Sequence, residues 1–152
     1  VYWFTNDPDH VRSDNRAVLR PHSERHKAFV AAGGNQVGRM SGDGSYYKKA
    51  GAYSQLSEGR IPRNVLSFCH DANTGFRKAV KAAGLPSHGA TMPLALAEFL
   101  VRFLSREGDL VADPFSGSFT TAKAAENLGR RWLGTERIRE YVEGAKLRFQ
   151  GC

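Results

Sequence analysis

Apolar side chains recur with a helical period after Pro93. They stand at offsets of 0, 3, 4, 7 and 8 residues, which places them on one face of an α-helix: Leu96, Phe99, Leu100, Phe103 and Leu104. Gly108 is the predicted end of this helix, because glycine readily adopts the backbone conformation that follows a last turn. We expect the apolar face to belong to the core and not to line a ligand site.

Further helices are predicted by their end signals. Ser23 can cap a helix that ends at Gly33-Gly34. Residues 74–83 predict another helix, with Gly84 as its stop. A third apolar stripe predicts a helix near the end of the chain: Ile138, Tyr141, Val142, Ala145 and Phe149.

Between these helices, residues 110–112 form a short apolar run, typical of a parallel strand that is buried on both faces. Asp113-Pro114 ends the run, and Ser-Gly-Ser at 116–118 supplies small, flexible backbone. Thr120 or Thr121 can cap the helix that follows. The segment therefore predicts a strand, a tight turn and a helix in succession.

A second strand is predicted over residues 131–136, ending in the carboxylate of Glu136. Parallel strands joined through a helix bind ligands at their carboxyl ends. The turn lacks the glycine-rich patterns that hold phosphates, and Asp113 at its mouth would repel a phosphate, so a cationic ligand fits better. Glu136 follows Asp113 by 23 positions, close to the spacing at which nucleotide-binding α/β folds place an acid on ribose hydroxyls. An ordinary βαβ unit with two solvated acids is the alternative.

The composition of the chain favours a polyanionic partner. The chain has 152 residues, 41% of them hydrophobic, which is enough for one globular domain. Its net charge of +7 favours nucleic acid as a partner, and a basic but merely solvated surface is the alternative. Two cysteines, Cys69 and Cys152, cannot form a disulfide framework and suit the reducing cytoplasm. No membrane span is predicted.

Residues 33–59 are rich in glycine, with seven in 27 positions, and show little periodicity. Cations that neutralise phosphates are interleaved here with aromatics that can stack on bases, as a DNA-contacting loop requires. The candidate DNA-binding residues in and just after this loop are Arg39, Tyr46, Tyr47, Lys48, Lys49, Tyr53, Arg60 and Arg63. A plain mobile surface loop is the alternative.

The five histidines show no spacing that predicts a metal site. His22 and His26 stand four apart on a predicted helix, but two ligands do not make a zinc site. Signatures of a serine or cysteine nucleophile are also missing from the sequence.

Residues 113–121 resemble motif I of the S-adenosylmethionine-dependent DNA methyltransferases that modify exocyclic amines. The family pattern is Asp-Pro-Phe-x-Gly-Ser-Gly-Thr-Thr, and eight of the nine positions agree. Residues 87–94 resemble the family's motif X, usually His-Pro-Ala-x-Phe/Met-Pro, and residues 60–65 match a stretch commonly found upstream. The three segments follow the order of the β arrangement of these enzymes.

The resemblance implies S-adenosyl-L-methionine as cofactor. Asp113 and the turn at 116–118 would hold its methionine part, Glu136 its ribose, and residues 88–93 would close over the methionine end. The candidate cofactor-binding residues are His88, Ala90, Met92, Pro93, Asp113, Pro114, Phe115, Ser116, Gly117, Ser118, Thr120, Thr121 and Glu136.

The fold implied is a Rossmann-like α/β methyltransferase sheet, incomplete in this chain, with an inserted Gly-rich loop region. We expect residues 1–152 to form a single partial domain, with 20–63 as the target-recognition segment. The reaction implied is methyl transfer to an exocyclic amine of adenine or cytosine in double-stranded DNA, as in restriction-modification systems.

No catalytic residue is predicted, because the family's Pro-Pro-Tyr/Phe segment does not occur in this sequence. Residues 6–9 lack the second proline and the aromatic, and we interpret them as a turn. The chain does not begin with Met, and its opening apolar run predicts a strand already under way, so we expect material upstream. A homo-oligomer or a complementing chain that carries the missing motif is expected, and a non-catalytic remnant that binds cofactor or DNA is the alternative.

Two residues depart from the family's pattern. Gly89 replaces the usual proline of motif X, which leaves the backbone more flexible. Phe119 stands where motif I usually has Gly or Asn. If that position requires a left-handed conformation, we expect Phe119 to cost about 1–2 kcal/mol.

Overall fold

The computed structural model describes residues 4–11, 13–69 and 74–150. Its contacts divide the chain into two compact units, Val1–Ala17 with Val65–Cys152, and Val18–Asn64. The second unit has nearly the bounds of the expected recognition segment 20–63, whose role stays a prediction. Cys152 and most of the predicted opening strand lie outside the described residues.

The unit Val18–Asn64 begins with helix α1, Glu24–Ala31. The Ser23 side chain accepts a hydrogen bond from the His26 backbone N–H, and Gly33 and Gly34 follow at positive φ, as predicted. Strands β1 (Arg39–Met40) and β2 (Tyr47–Lys48) form an antiparallel hairpin in the Gly-rich loop, which the sequence did not indicate. In the same unit, Arg20 and Arg60 exchange backbone hydrogen bonds at 2.9 Å.

The larger unit contains the predicted βαβ arrangement, so the expected α/β class is confirmed. Strands β3 (Leu110–Asp113) and β4 (Arg131–Gly134) are parallel, with Asp113 opposite Gly134 in the register. Helix α4, Thr120–Asn127, connects them. Both strands therefore end at the same edge of the sheet, where ligands of such folds bind.

Three further helices surround this arrangement: α2 (Thr74–Ala82), α3 (Leu94–Leu104) and α5 (Arg139–Lys146). Gly84, at positive φ, follows α2 as predicted. Gly144 of α5 would bring an added Cβ to 3.5 Å from Val80 of α2, so these two helices pack closely. A short 3-10 helix, Pro8–His10, occupies the turn expected at residues 6–9 and is capped by Asp7.

The predicted core face of α3 is only partly confirmed, because four residues of the stripe are half-buried: Leu96, Phe99, Leu100 and Phe103. The buried residues of α3 are Ala97 and Val101, which pack with Ala124 of α4, whereas Leu104 of the predicted stripe is 37% exposed. Ala97 stands one residue beyond Leu96, so the buried face is rotated by about 100°. The alanines of α4 let the two helices approach closely, and this contact decides which face is buried.

The expectation that β3 is buried on both faces is also wrong. Within the described residues β3 pairs only with β4, and exposed residues alternate with half-buried ones along both strands. Leu110 is 56% exposed and Leu133 is 59% exposed, because α4 covers only the other face. In the described part of the chain, no helix is long and apolar enough to span a bilayer.

Candidate functional site

The turn after β3 is held by its own hydrogen bonds. The Asp113 carboxylate accepts the Phe115 N–H at 3.1 Å, and the Ser116 hydroxyl donates to the Asp113 carbonyl at 2.8 Å. The Ser116 N–H donates to the Thr135 carbonyl at 2.9 Å. The turn is thereby fixed to the end of β4.

Phe119 adopts the left-handed conformation, with φ 56° and ψ 36°, and forms the N-cap of α4. The expectation that Thr120 or Thr121 caps this helix is wrong, because the left-handed residue turns the chain directly into the helix and Thr120 already lies inside it. The Phe119 ring is buried and meets Trp132 edge-on, with centroids 6.3 Å apart. Burial of a phenylalanine contributes about 3–5 kcal/mol, which exceeds a left-handed cost of about 1–2 kcal/mol.

Glu136 lies where the predicted second acid should be, just beyond β4. One carboxylate oxygen accepts the Gly117 N–H at 2.9 Å, and the other accepts the Ile138 N–H at 2.8 Å. The bond from Ile138, reinforced by that from Gly117, holds the pKa of Glu136 below its usual range. Glu136 is therefore an oriented carboxylate at neutral pH.

The segment predicted as motif X reaches this turn through His88. A Cβ placed on Gly117 would lie 3.1 Å from Nε2 of His88, and Gly117 has φ 51°, so only glycine fits there comfortably. The His88 ring also meets the Tyr141 ring edge-on at 5.0 Å. Met92, in contrast, packs against the core of α3 and α4.

An open pocket of about 580 Å³ adjoins Glu136, and its walls are Pro114, Phe115, Thr135, Glu136, Arg137 and Ile138. Phe115 is 88% exposed, so its ring is available to a planar ligand. The structure thus brings together His88, the turn at 113–118 and Glu136.

No sequence pattern indicated Arg148, whose guanidinium donates hydrogen bonds to Ser118 and Thr120. An arginine at the end of an amphipathic helix ordinarily faces solvent. In the described residues, no group of three or more His, Cys, Asp or Glu could hold a metal ion.

In the unit Val18–Asn64, the hairpin brings part of the predicted DNA-contacting set together. Arg39 stands opposite Lys48, and Nζ of Lys48 lies 5.4 Å from the centroid of the Tyr46 ring. Tyr46, Tyr47 and Tyr53 are each more than half exposed. Arg60 exchanges backbone hydrogen bonds with Arg20, and its side chain donates to the Pro21 carbonyl at 3.0 Å. Lys49 and Arg63 are exposed.

The sequence model of a family described as DNA methylase matches residues 1–147. The chain belongs to this DNA methylase family. The predicted resemblance is therefore confirmed, while the roles of individual residues stay predictions.

Two curated relatives illustrate the extent of the match. The Type II methyltransferase M.PvuII of Proteus hauseri is 30% identical over 161 residues, which cover 98% of this chain and 44% of the relative. The Type II methyltransferase M2.DpnII of Streptococcus pneumoniae is 38% identical over 69% of this chain and 37% of its own length. The chain thus spans less than half the length of these relatives.

A solved structure supports the fold. The PvuII DNA methyltransferase, described as cytosine-N4-specific, matches with a TM-score of 0.55 and 38% identity. The match covers 59% of this chain and 32% of that one. Over the matched residues, the two proteins therefore share the arrangement of helices and strands as well as the family.

Proposed function

We propose that this chain supplies the cofactor-binding part of a site-specific DNA methyltransferase, which transfers a methyl group from S-adenosyl-L-methionine to an exocyclic amine of adenine or cytosine. The observation that carries the proposal is the meeting of three separate segments at Gly117. Its N–H is bound by Glu136, and its α-carbon faces the His88 ring. These are the segments whose motifs imply the cofactor.

The groups at this end of the sheet fit that cofactor. S-Adenosylmethionine carries a sulfonium, an ammonium and two ribose hydroxyls, and carboxylates such as Asp113 and Glu136 attract cations and accept from hydroxyls. A carboxylate has about four acceptor sites, so two amide bonds leave Glu136 capacity for the ribose. The adjoining pocket of about 580 Å³ has the size of an ordinary small-ligand site. When bound, the cofactor supplies an electrophilic methyl group.

The residues of this chain bind the cofactor and orient it. Asp113, at the carboxyl end of β3, attracts the cationic end of the ligand. Glu136 presents its acceptors in one direction, because two backbone amides hold the carboxylate. Phe115 and Ile138 supply apolar walls for the adenine of the cofactor. Binding in one orientation is what a methyl transfer needs from this side of the site.

Double-stranded DNA is the proposed substrate, and the unit Val18–Asn64 is its proposed reader. The hairpin presents Arg39 and Lys48 side by side next to exposed tyrosines. Cations bind phosphates and aromatic rings stack on bases, while the target base is flipped out of the duplex for chemistry. A chain acting on DNA would work in the cytoplasm, as its cysteine content led us to expect.

On this proposal the catalytic segment comes from outside these residues, since the Pro-Pro-Tyr/Phe motif does not occur in them. Within the described residues, one face of β3 and β4 and one edge of β3 are uncovered and offer a place for it, because parallel sheets are ordinarily covered on both faces. We propose that a second copy covers this sheet, or that a complementing chain, which carries the motif, completes it.

Calorimetric titration with S-adenosylmethionine tests the proposal. We expect the wild type to bind and Asp113→Ala to lose binding. Asp109→Ala, which removes an acid from the opposite end of β3, is the matched control and should bind. Equal binding by the wild type and Asp113→Ala would exclude the turn as the site, and no binding by any of the three would favour a non-catalytic remnant.

A further inference from the structure

Arg148 lies behind the turn that follows β3. Its Nε donates to the Ser118 carbonyl at 2.6 Å, and one terminal nitrogen donates to the hydroxyls of Ser118 and Thr120, each at 3.2 Å. The three residues are between 4% and 9% exposed, so these bonds are shielded from water. Arg148 thus holds the two residues on either side of Phe119.

Helix α2 supplies the other wall of this site. The central guanidinium carbon of Arg148 lies 3.6 Å from the centroid of the Phe76 ring, a close cation–π contact. Burial lowers the pKa of Arg148 to about 10, so the side chain still carries its charge at neutral pH. A buried cation is tolerated only where hydrogen bonds replace its water, and here the turn provides them.

Phe119 explains why such bonds are needed. Its left-handed backbone is strained, and a strained residue persists only where its surroundings fix it. Trp132 contacts the ring, whereas Arg148 donates to the backbone carbonyl of Ser118 on one side of Phe119 and to the side-chain hydroxyl of Thr120 on the other. The shape of residues 118–120 in turn sets the direction of the preceding turn.

We propose that Arg148 is a positioning residue of the cofactor turn. It holds residues 118–120 in the conformation that presents Gly117 and Glu136 together, and it raises cofactor affinity without touching the cofactor. The inference rests on the proposed function for the meaning of the turn. The role of Arg148 in fixing the conformation of the turn is supported by its contacts and does not depend on the proposed function.

The test compares Arg148→Lys with Arg130→Lys in the full chain. Lysine keeps the charge at 148 but cannot make the forked bonds or stack on Phe76. Arg130 is the matched control, because its guanidinium also bonds the hydroxyl and carbonyl of one serine, Ser105, away from the turn. Loss of one hydrogen bond from a charged donor corresponds to about a tenfold effect.

We expect Arg148→Lys to speed hydrogen exchange of the Phe119 amide about tenfold, and to raise the Kd for S-adenosylmethionine about tenfold. Arg130→Lys should change neither. Phe76→Leu, which removes the ring but leaves the bonds, should act in the same direction with a smaller effect, and it serves if Arg148→Lys does not fold. A merely structural role would lower stability in both arginine variants while leaving the exchange of Phe119 and the affinity alike in the two.

Two results separate this inference from the proposed function. If the wild type does not bind S-adenosylmethionine, the proposed function fails, yet faster exchange at Phe119 in Arg148→Lys alone still supports the positioning of the turn. If the wild type binds and Arg148→Lys keeps both its affinity and its Phe119 protection, the role of Arg148 is overturned while the proposed function stands.

Discussion

The carboxylate of Glu136 accepts the backbone N–H of Gly117 at 2.9 Å, which joins the end of β4 to the turn after β3. The spacing of 23 residues between Asp113 and Glu136 predicted that the two strand ends would meet. The hydrogen bond adds that the acid also holds the turn, so its protonation state affects the shape of the site.

The first prediction concerns the pH dependence of this bond. The pKa of Glu136 lies below its ordinary value of 4.5, chiefly because the Ile138 N–H stabilises the carboxylate. Since the folded-state pKa is the lower one, the carboxylate's contribution to stability is fully present above pH 4.5 and is lost as the pH falls through the folded-state pKa. An NMR titration should show the Gly117 amide shifting in parallel with the Glu136 carboxyl carbon.

Glu143 serves as the internal control. Its pKa is also lowered, but mainly by the side chain of Lys146, in an exposed ion pair. Salt screens exposed charges, so the depression at Glu143 should shrink at 1 M salt while that at Glu136 persists. A Glu136 pKa at or above its ordinary value would contradict the hydrogen bonds.

Local signals predicted most of the fold. Ser23 and the glycines after α1 and α2 mark helix ends by chemistry that acts within one turn, so those bounds were confirmed. The prediction for α3 missed its fully buried residues, because their burial depends on contact with Ala124 of α4. Arg148 was missed because its partners lie about 30 positions earlier, and no local pattern reports such a contact.

The second prediction separates strain from burial at Phe119. Phe119→Ala keeps the left-handed strain and loses ring burial of about 3–5 kcal/mol, whereas Phe119→Gly loses the same burial but regains about 1–2 kcal/mol. Denaturant midpoints should therefore rank the wild type first, Phe119→Gly second and Phe119→Ala third. Equal stability of the two variants would mean that the left-handed conformation costs nothing here.

The third prediction concerns the hairpin and DNA. If the unit Val18–Asn64 contacts phosphates, duplex affinity should fall steeply with salt, and Lys48→Ala combined with Lys49→Ala should lower the slope of log affinity against log salt by about two. Lys78→Ala with Lys81→Ala, on exposed positions of α2, removes the same charge elsewhere and should leave the slope nearly unchanged. Equal slopes for the two double variants would place the DNA surface outside the hairpin.

The fourth prediction is that the open face of β3 and β4 associates with another chain, and that methylation requires this. Leu133 is 59% exposed there, and the faces of parallel sheets are ordinarily covered. Sedimentation should show the wild type larger than a monomer and Leu133→Asp reduced toward one, because a charge on this face opposes its burial. Ile61→Asp, at a position that is 62% exposed outside this sheet, should not change the assembly.

Methyl incorporation from labelled S-adenosylmethionine should appear only when a chain with the Pro-Pro-Tyr/Phe motif is present. A monomer that methylates DNA unaided would contradict both parts, and would return attention to residues 6–9 as the catalytic loop.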